Sequence, residues 1–156
     1  MLPEIVYRPV QQGADDAVEV SFMVPCLNEE ENVVGTIETI MSALTRVGCS
    51  YEILVFDDGS QDNTAGVVTA FQAAHPQAPV RLFRNKVNRG LSFNFVEAAF
   101  QGRGRYYRAV PGDNVEPVES IDRYLAPSSV RSLMSIVLRS PTNPSLTVKC
   151  TVTTLL

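Results

Sequence analysis

Four short polar clusters contain the side chains of this 156-residue chain that are best suited to hold or transform a ligand. Two are acidic, Asn28-Glu29-Glu30 and Asp57-Asp58-Gly59-Ser60, and carboxylates accept strong hydrogen bonds from N–H and hydroxyl groups. The third, Asn88-Arg89-Gly90, precedes a predicted helix, where a cation and free backbone N–H groups suit a diphosphate. The fourth is the turn Gly112-Asp113-Asn114. These residue types predict a binding site for a polar ligand.

The segments that must position these clusters alternate between short apolar strands and amphipathic helices. Pro25 is expected to end the first strand. Periodicity predicts strands over 18–24, 51–56, 80–83 and 106–110, and helices over 29–47, from 62–64 to 74, and over 91–101. This β-α-β alternation predicts an α/β, Rossmann-like fold with a mostly parallel sheet. Because ligands of such sheets bind beyond the carboxyl ends of the strands, we expect the clusters to converge at one edge.

Some of these residues also have a purely structural interpretation. Asn28 followed by Glu31 is typical of a capping box at a helix start. Acidic residues in a first helical turn offset the helix dipole, which would account for Glu29-Glu30-Glu31 without a ligand. Asp57 and Asp58 are two adjacent acids where a helix cap needs only one, which favours ligand contact.

Composition and charge exclude several classes of protein. The chain has 13 basic and 17 acidic residues, a net charge of −4, and a pI near 5.0, which argues against a nucleic-acid-binding surface. Its hydrophobic content of 45% is too high for a disordered chain, and no apolar run is long enough for a transmembrane helix. Without a signal-peptide pattern, Cys26, Cys49 and Cys150 are expected to be reduced thiols in a cytoplasmic protein. The single histidine, His75, is interpreted as a loop residue.

The distribution of charge divides the chain into three parts. Residues 1–17 are polar and irregular and are interpreted as a loose leader. All 17 acidic residues lie at or before Asp122, so the last 34 residues contain none. A segment of that length with an exposed surface would usually carry some acidic residues. We therefore expect an atypical tail over 126–156 that is not the natural continuation of the preceding domain. That would leave a truncated half-domain over 18–125.

Two longer motifs make the chain resemble the amino-terminal half of family 2 glycosyltransferases. Residues 24–32 are VPCLNEEEN, and residues 55–64 are VFDDGSQDNT. The stretch NKVNRGL at 85–91 and the Gly112-Asp113-Asn114 turn follow in the family's order and spacing. The resemblance covers roughly residues 18–123 and implies a nucleotide-diphospho-sugar transferase fold of the GT-A type.

The resemblance also implies an activity and a donor site. The family transfers a sugar from a nucleotide donor, here a UDP- or GDP-sugar, to an acceptor hydroxyl with inversion. The acceptor could be lipid-linked or a growing glycan, and a lipid-linked acceptor would place a longer form of the protein at the inner face of a membrane. Glu29 is implied to be the ligand-facing residue of its acidic run. The implied donor-binding residues are Pro25, Asn28, Glu29, Asp57, Asp58, Ser60, Asn88, Arg89 and Gly90.

The metal motif departs from the family pattern. Family members usually have Asp-x-Asp here, which binds Mg²⁺ or Mn²⁺, but this chain has Pro111 at the first position and keeps Asp113 at the second. Asp113 is thus the implied metal ligand, and Asn114 could add a carbonyl oxygen. In the family the general base comes from the half that follows the metal motif, and no acidic residue follows Asp122, so that region offers no candidate for the base. The alternative is a non-catalytic nucleotide-sugar-binding fragment or a regulatory α/β domain.

Three other α/β families fit the sequence less well. A dinucleotide-binding oxidoreductase needs Gly-x-Gly-x-x-Gly after the first strand, whereas Gly102-Arg103-Gly104 follows the third helix. A receiver domain would have its acidic pair after the first strand, but Asp57-Asp58 follows the second. A sugar-nucleotide pyrophosphorylase would have a Gly-rich basic loop in place of Asn28-Glu29-Glu30.

Overall fold

The computed structural model describes residues 18–104, 106–125, 135–136 and 150–151. The strands are β1 (Val20–Cys26), β2 (Tyr51–Asp57), β3 (Val80–Arg84), β4 (Tyr106–Ala109), β5 (Ser135–Ile136) and β6 (Cys150–Thr151). The helices are α1 (Val33–Val47), α2 (Thr64–Ala74), α3 (Leu91–Gln101) and α4 (Val118–Leu125). The leader predicted over 1–17 and most of the tail predicted over 126–156 lie outside the described residues. Within the tail, β5 and β6 pair antiparallel.

The first four strands form one parallel sheet in the order β3-β2-β1-β4, which confirms the predicted α/β fold. In the register of β1 and β2, Val20 lies beside Tyr51, and Cys26 lies beside Asp57. The ends of β1 and β2 are therefore level at the carboxyl edge of the sheet. The loops that carry the polar clusters leave the sheet at this edge.

The sheet is covered on both faces, which explains why its strands are apolar along their length. The larger core cluster joins one face to α1, α2 and α4 through residues that include Phe22, Val24, Ile37, Phe71 and Ile121. The smaller cluster joins the other face to α3 through Met23, Leu54, Phe56 and Ala98. Among the described helices, none has the length and apolar character needed to cross a membrane.

Two sequence predictions at the start of the fold are wrong. Strand β1 does not stop before Pro25 but continues to Cys26. Pro25 has no N–H, but the position that an N–H would occupy faces β4, which has already ended at Ala109. On the same side, the Pro25 carbonyl accepts a hydrogen bond from the Gly112 N–H (3.2 Å). Helix α1 begins at Val33 with Asn32 at the N-cap, so Asn28 and Glu31 form no capping box. The first turn of α1 contains no acidic residue, which removes the helix-dipole explanation for the acidic run.

A buried carboxylate lies at the opposite, amino edge of the sheet. Glu52 of β2 is 0% exposed and accepts hydrogen bonds from the Ser21 hydroxyl (2.7 Å) and from Nε of Arg103 (3.1 Å). Arg81 of β3 adds an ion pair to Glu52 at 3.3 Å. Burial alone would raise the pKa of Glu52, but the hydrogen bonds from Arg103 and Ser21 and the charge of Arg103 outweigh it and hold the pKa below its usual value. The ionised Glu52 therefore fastens the segment after α3 to the sheet.

We expect Glu52→Gln to lower the free energy of unfolding by about 2 kcal/mol at neutral pH, because the arginines lose their buried counter-charge. The folded-state pKa lies below that of the unfolded chain, so this stabilisation is present above the unfolded pKa of about 4.3 and disappears as the pH falls through the folded value. Urea denaturation at neutral and acidic pH measures both effects. Glu38→Gln, on the exposed face of α1, is the matched control and should change stability by less than about 0.5 kcal/mol. Equal losses in the two variants would contradict the role assigned to Glu52.

Candidate functional site

The loops after β1 and β2 are joined by side-chain hydrogen bonds at the carboxyl edge. The backbone N–H of Asn28 donates to the Ser60 hydroxyl (2.9 Å), and the N–H of Gln61 donates to Oδ1 of Asn28 (2.9 Å). Asn28 adopts a left-handed backbone conformation with φ of 58°. The two predicted site residues Asn28 and Ser60 are thus brought together and support each other.

The acidic run continues the connection between these two loops. Glu30 donates its N–H to Oδ2 of Asp62 (3.1 Å), and Oε2 of Glu30 accepts from the N–H of Asn63 (2.7 Å). The N–H of Glu29 donates to the Thr64 hydroxyl (2.8 Å). Desolvation acts to raise the pKa of Asp62, but hydrogen bonds from Thr64 and Glu30 hold it below its usual value. The Glu30 carboxylate is therefore used for a hydrogen bond within the protein.

Glu29 differs from Glu30 in what its side chain contacts. The half-buried Glu29 carboxylate accepts one hydrogen bond in the described residues, from Nδ2 of Asn32 (3.0 Å). Its remaining lone pairs are available to a ligand at the edge of the sheet. Of the two acids, Glu29 is therefore the one placed to receive ligand N–H or hydroxyl groups.

Asp57 ends β2 and is completely buried. Its Oδ1 accepts a hydrogen bond from the Ser60 N–H (2.9 Å). Its Oδ2 lies 3.2 Å from Nε of Arg84, close enough for an ion pair but not aligned for a hydrogen bond. Within the described ranges, this oxygen has no hydrogen-bond partner. A buried acceptor without a donor is costly, so Asp57 retains capacity for a ligand N–H or hydroxyl group.

Asp58 is buried and directed toward the loop between β3 and α3. Its Oδ1 accepts from Nδ2 of Asn85 and from the Arg89 N–H (2.8 Å each), and its Oδ2 accepts from the Gly90 N–H (2.8 Å). Burial alone would raise the pKa of Asp58, but the hydrogen bonds from Arg89, Asn85 and Gly90 outweigh it and lower the pKa. The carboxylate therefore fixes the backbone of the predicted Asn88-Arg89-Gly90 cluster.

A pair of asparagines extends this network and was missed by the sequence analysis. Asn94 is buried on α3, and its Oδ1 accepts a hydrogen bond from Nδ2 of Asn85 (2.6 Å). The signal in the sequence was a polar Asn94 within an otherwise apolar stretch of helix. Asn94 and Asp58 together hold the Asn85 side chain.

An open cavity of about 270 Å³ lies beside these groups. It is lined by Gly59, Ser60, Arg84, Asn85 and Lys86. Gly59 has φ of 78°, and a Cβ added there would lie 2.8 Å from the Asn88 nitrogen and the Val87 carbonyl carbon. The guanidinium of Arg89 lies 3.9 Å from the centre of the Phe93 ring, so its charge is stacked on that ring. Glycine at position 59 thus allows the loops after β2 and β3 to touch.

The turn after β4 presents the predicted metal ligand. Asp113 is exposed, and its Oδ1 accepts a hydrogen bond from the Val115 N–H (3.2 Å). The side chain of Asn114 instead lies against α1, where the Thr39 hydroxyl donates to its Oδ1 (3.3 Å). The structure therefore gives no support to Asn114 as a second oxygen ligand. In the described part of the chain, no group of three or more His, Cys, Asp or Glu side chains could hold a metal ion.

The predicted site residues thus fall into groups with different contacts. Asn28, Ser60, Asp57 and Asp58 are joined through the loops after β1 and β2, and Asp58 holds Arg89 and Gly90. Oδ1 of Asn88 accepts a hydrogen bond from the Gly90 N–H (2.9 Å). Pro25 reaches the metal-motif turn through its carbonyl contact with Gly112. The clusters therefore meet at the carboxyl edge, as the strand pattern predicted.

Comparisons with known proteins show which family the chain matches. Residues 21–115 match the model of the family described as glycosyl transferase family 2. A dolichyl-phosphate beta-glucosyltransferase of Dictyostelium discoideum is 29% identical over 113 residues, which are 69% of this chain and 35% of that protein. An undecaprenyl-phosphate 4-deoxy-4-formamido-L-arabinose transferase of Pectobacterium atrosepticum is 30% identical over 109 residues, which are 70% of this chain and 33% of that protein. The chain thus spans about a third of the length of these relatives.

Solved structures show the same fold. Mannosyl-3-phosphoglycerate synthase from Rubrobacter xylanophilus has a TM-score of 0.57 at 24% identity, covering 71% of this chain and 36% of that one. A mannosyltransferase from Pyrobaculum calidifontis, solved in complex with GDP-Man and Mn²⁺, has a TM-score of 0.51 at 22% identity, covering 71% of this chain and 29% of that one. Both likenesses concern the fold.

Proposed function

Because the chain belongs to glycosyl transferase family 2, we propose that its described residues bind the nucleotide-diphospho-sugar donor of a sugar-transfer reaction. The observation that carries the proposal is the buried Asp57 carboxylate, whose Oδ2 lacks a hydrogen-bond donor. An N–H group of uracil or guanine would supply that donor. Glu29, with lone pairs to spare, would accept from ribose hydroxyls.

Of the remaining predicted residues, some support the site and others are placed to contact the ligand. Asn28, Ser60 and Asp58 shape the site through their hydrogen bonds within the chain. Arg89 is exposed beside the start of α3, where a cation suits a diphosphate. This division supports donor binding, because the side chains that face the ligand are held in place by side chains whose own hydrogen bonds are already made within the chain.

Asp113 fits a divalent cation as a single protein ligand. Its carboxylate is exposed and accepts one hydrogen bond in the described residues. Mg²⁺ is commonly bound by one or two carboxylates together with substrate phosphates and water. When bound, Mg²⁺ or Mn²⁺ would neutralise charge on the diphosphate leaving group. The complex of the Pyrobaculum calidifontis enzyme with GDP-Man and Mn²⁺ supports this assignment.

We propose that the transfer proceeds with inversion at the anomeric carbon. The acceptor oxygen attacks that carbon on the face opposite the nucleotide, the bond to the diphosphate breaks, and the nucleoside diphosphate leaves with its electron pair. An acceptor hydroxyl needs a general base, whereas the oxygen of a polyprenyl phosphate is already ionised near neutral pH. The relatives named for dolichyl phosphate and undecaprenyl phosphate favour a lipid phosphate as the acceptor. Such an acceptor would place the protein at a membrane face.

A second candidate function is donor binding without turnover. In that case the chain binds the nucleotide but releases no nucleoside diphosphate from a nucleotide sugar, even when polyprenyl phosphate is supplied. Detection of free UDP or GDP in such a reaction would favour transfer. Nucleotide binding without release would favour the second candidate.

Replacement of Asp113, the proposed metal ligand, should reduce the dependence of nucleotide affinity on Mn²⁺. We expect UDP or GDP to raise the melting temperature of the chain in the presence of Mn²⁺, because a ligand that binds only the native state stabilises it. In Asp113→Asn, we expect the Mn²⁺-dependent part of the affinity to fall about tenfold, which corresponds to about 1.4 kcal/mol. Glu119→Gln, an exposed acid on α4, is the control. Unchanged Mn²⁺-dependent affinity in Asp113→Asn would contradict the metal assignment.

A further inference from the structure

We infer that Arg84 is a positioning residue for the donor nucleotide and that it acts through the buried carboxylate of Asp57. The inference rests on the proposed function, because both concern the same site. Arg84 lies outside the motifs that the sequence analysis selected, at the last position of β3. Its role follows from its register, its charge and its position in the cavity.

The register of the sheet places the two side chains side by side. Asp57 and Arg84 are partners across the parallel strands β2 and β3, each at the last residue of its strand. Nε of Arg84 lies 3.2 Å from Oδ2 of Asp57. The guanidinium thus supplies charge to Oδ2, which has no hydrogen-bond donor within the described residues. A ligand N–H would supply that donor.

The charges around Asp57 make Arg84 its main compensating cation. On β1, Cys26 is the register partner of Asp57, and burial raises the pKa of its thiol far above the usual range, so it is neutral. The acids Glu29 and Asp62 lie close enough to oppose ionisation of Cys26. Among the described residues, Arg84 is the cation that pairs with the buried Asp57 carboxylate.

Arg84 also forms part of the cavity that a nucleotide base would enter. It lines the cavity with Gly59, Ser60, Asn85 and Lys86, and its side chain is 61% exposed. Arg84 therefore pairs with the Asp57 carboxylate and also lines the cavity. Loss of Arg84 should weaken nucleotide binding without removing any predicted motif residue.

The test is calorimetric titration of the full chain with UDP and with GDP, each with MnCl₂. The variants are Arg84→Gln, Arg84→Lys, Asp57→Asn and, as the matched cation of the same cavity, Lys86→Gln. We expect Arg84→Gln to weaken binding about tenfold, because the buried Asp57 carboxylate loses its ion-pair partner. Arg84→Lys should restore most of the affinity. Lys86→Gln should cost about threefold at most.

The outcomes distinguish this inference from the proposed function. Binding by Arg84→Gln within about twofold of the wild type would overturn the inference, as would a loss of affinity that Arg84→Lys does not restore. If Asp57→Asn loses binding while Arg84→Gln keeps it, the inference fails and the proposed donor site stands. If the wild type binds neither nucleotide, both fail. Circular dichroism melts of each variant show that a loss of affinity is not a loss of folding.

Discussion

Replacement of Asp58 by alanine should destabilise the chain by about 3 kcal/mol and weaken nucleotide binding at least about tenfold. The reason is that the carboxylate accepts hydrogen bonds from Asn85 and from the backbone N–H groups of Arg89 and Gly90. Hydrogen bonds to a charged acceptor are worth about 1.5–3 kcal/mol each, and water recovers part of that loss at the loop. Without Asp58, the loop before α3 no longer has a fixed position beside the cavity.

The effect of Asp58 should depend on pH in a defined direction. Its hydrogen bonds lower the folded-state pKa below that of the unfolded chain. The stabilisation is therefore complete above the unfolded pKa of about 3.9 and is lost as the pH falls through the folded value. The difference in unfolding free energy between the wild type and Asp58→Ala should shrink under acidic conditions.

Urea denaturation and nucleotide titration of Asp58→Ala measure these effects. Asp113→Ala is the matched control for stability, because Asp113 is an exposed aspartate at the same edge with a single hydrogen bond to the Val115 N–H. Its stability should change by less than about 1 kcal/mol. A stable Asp58→Ala variant with wild-type affinity would show that Asp58 does not organise the loop.

Gly59→Ala should cost about 3 kcal/mol of stability and displace the loop after β3. Gly59 has a left-handed backbone with φ of 78°, and its new Cβ would meet the backbone of Val87 and Asn88 at 2.8 Å. Backbone atoms cannot rotate away as a flexible side chain can, so one of the two loops must move. Because Gly59 lines the cavity, the same movement should reduce nucleotide affinity.

Gly48→Ala separates the strain of the backbone from the steric clash. Gly48 also has a left-handed backbone, with φ of 72°, but an added Cβ there meets nothing within 4 Å. This variant should lose only about 1 kcal/mol and keep its nucleotide affinity. Thermal melts and titrations of the two variants provide the comparison. Equal losses would indicate that contact between the loops does not matter at Gly59.

Local periodicity was sufficient to predict the four strands of the parallel sheet and the helices α1, α2 and α3. Helix α3 occupies the predicted residues 91–101, and β2 and β3 each extend the prediction by one residue. The polar clusters at strand ends predicted the edge where the site lies, because parallel strands bring those ends together. Local sequence patterns could not predict the contacts between the loops.

The start of α1 shows this limit. The pattern of Asn28 and Glu31 is typical of a capping box, but the N–H of Asn28 is used by Ser60 and the N–H of Glu29 by Thr64. These partners lie more than thirty residues away, so a local signature could not reveal them. The Asn85–Asn94 contact and the position of Arg84 beside Asp57 were also missed, because each contact joins residues from two different parts of the fold.

The central claim is that the carboxyl edge of the sheet binds a nucleoside diphosphate. Amide hydrogen exchange of the whole chain tests this claim most directly. Exchange is measured with and without UDP or GDP, each in the presence of Mn²⁺. The account predicts slower exchange in the segments 26–30, 57–61, 85–90 and 112–114, which meet at this edge. Protection confined to the amino edge around Glu52 and Arg103, or no protection with either nucleotide, would contradict it.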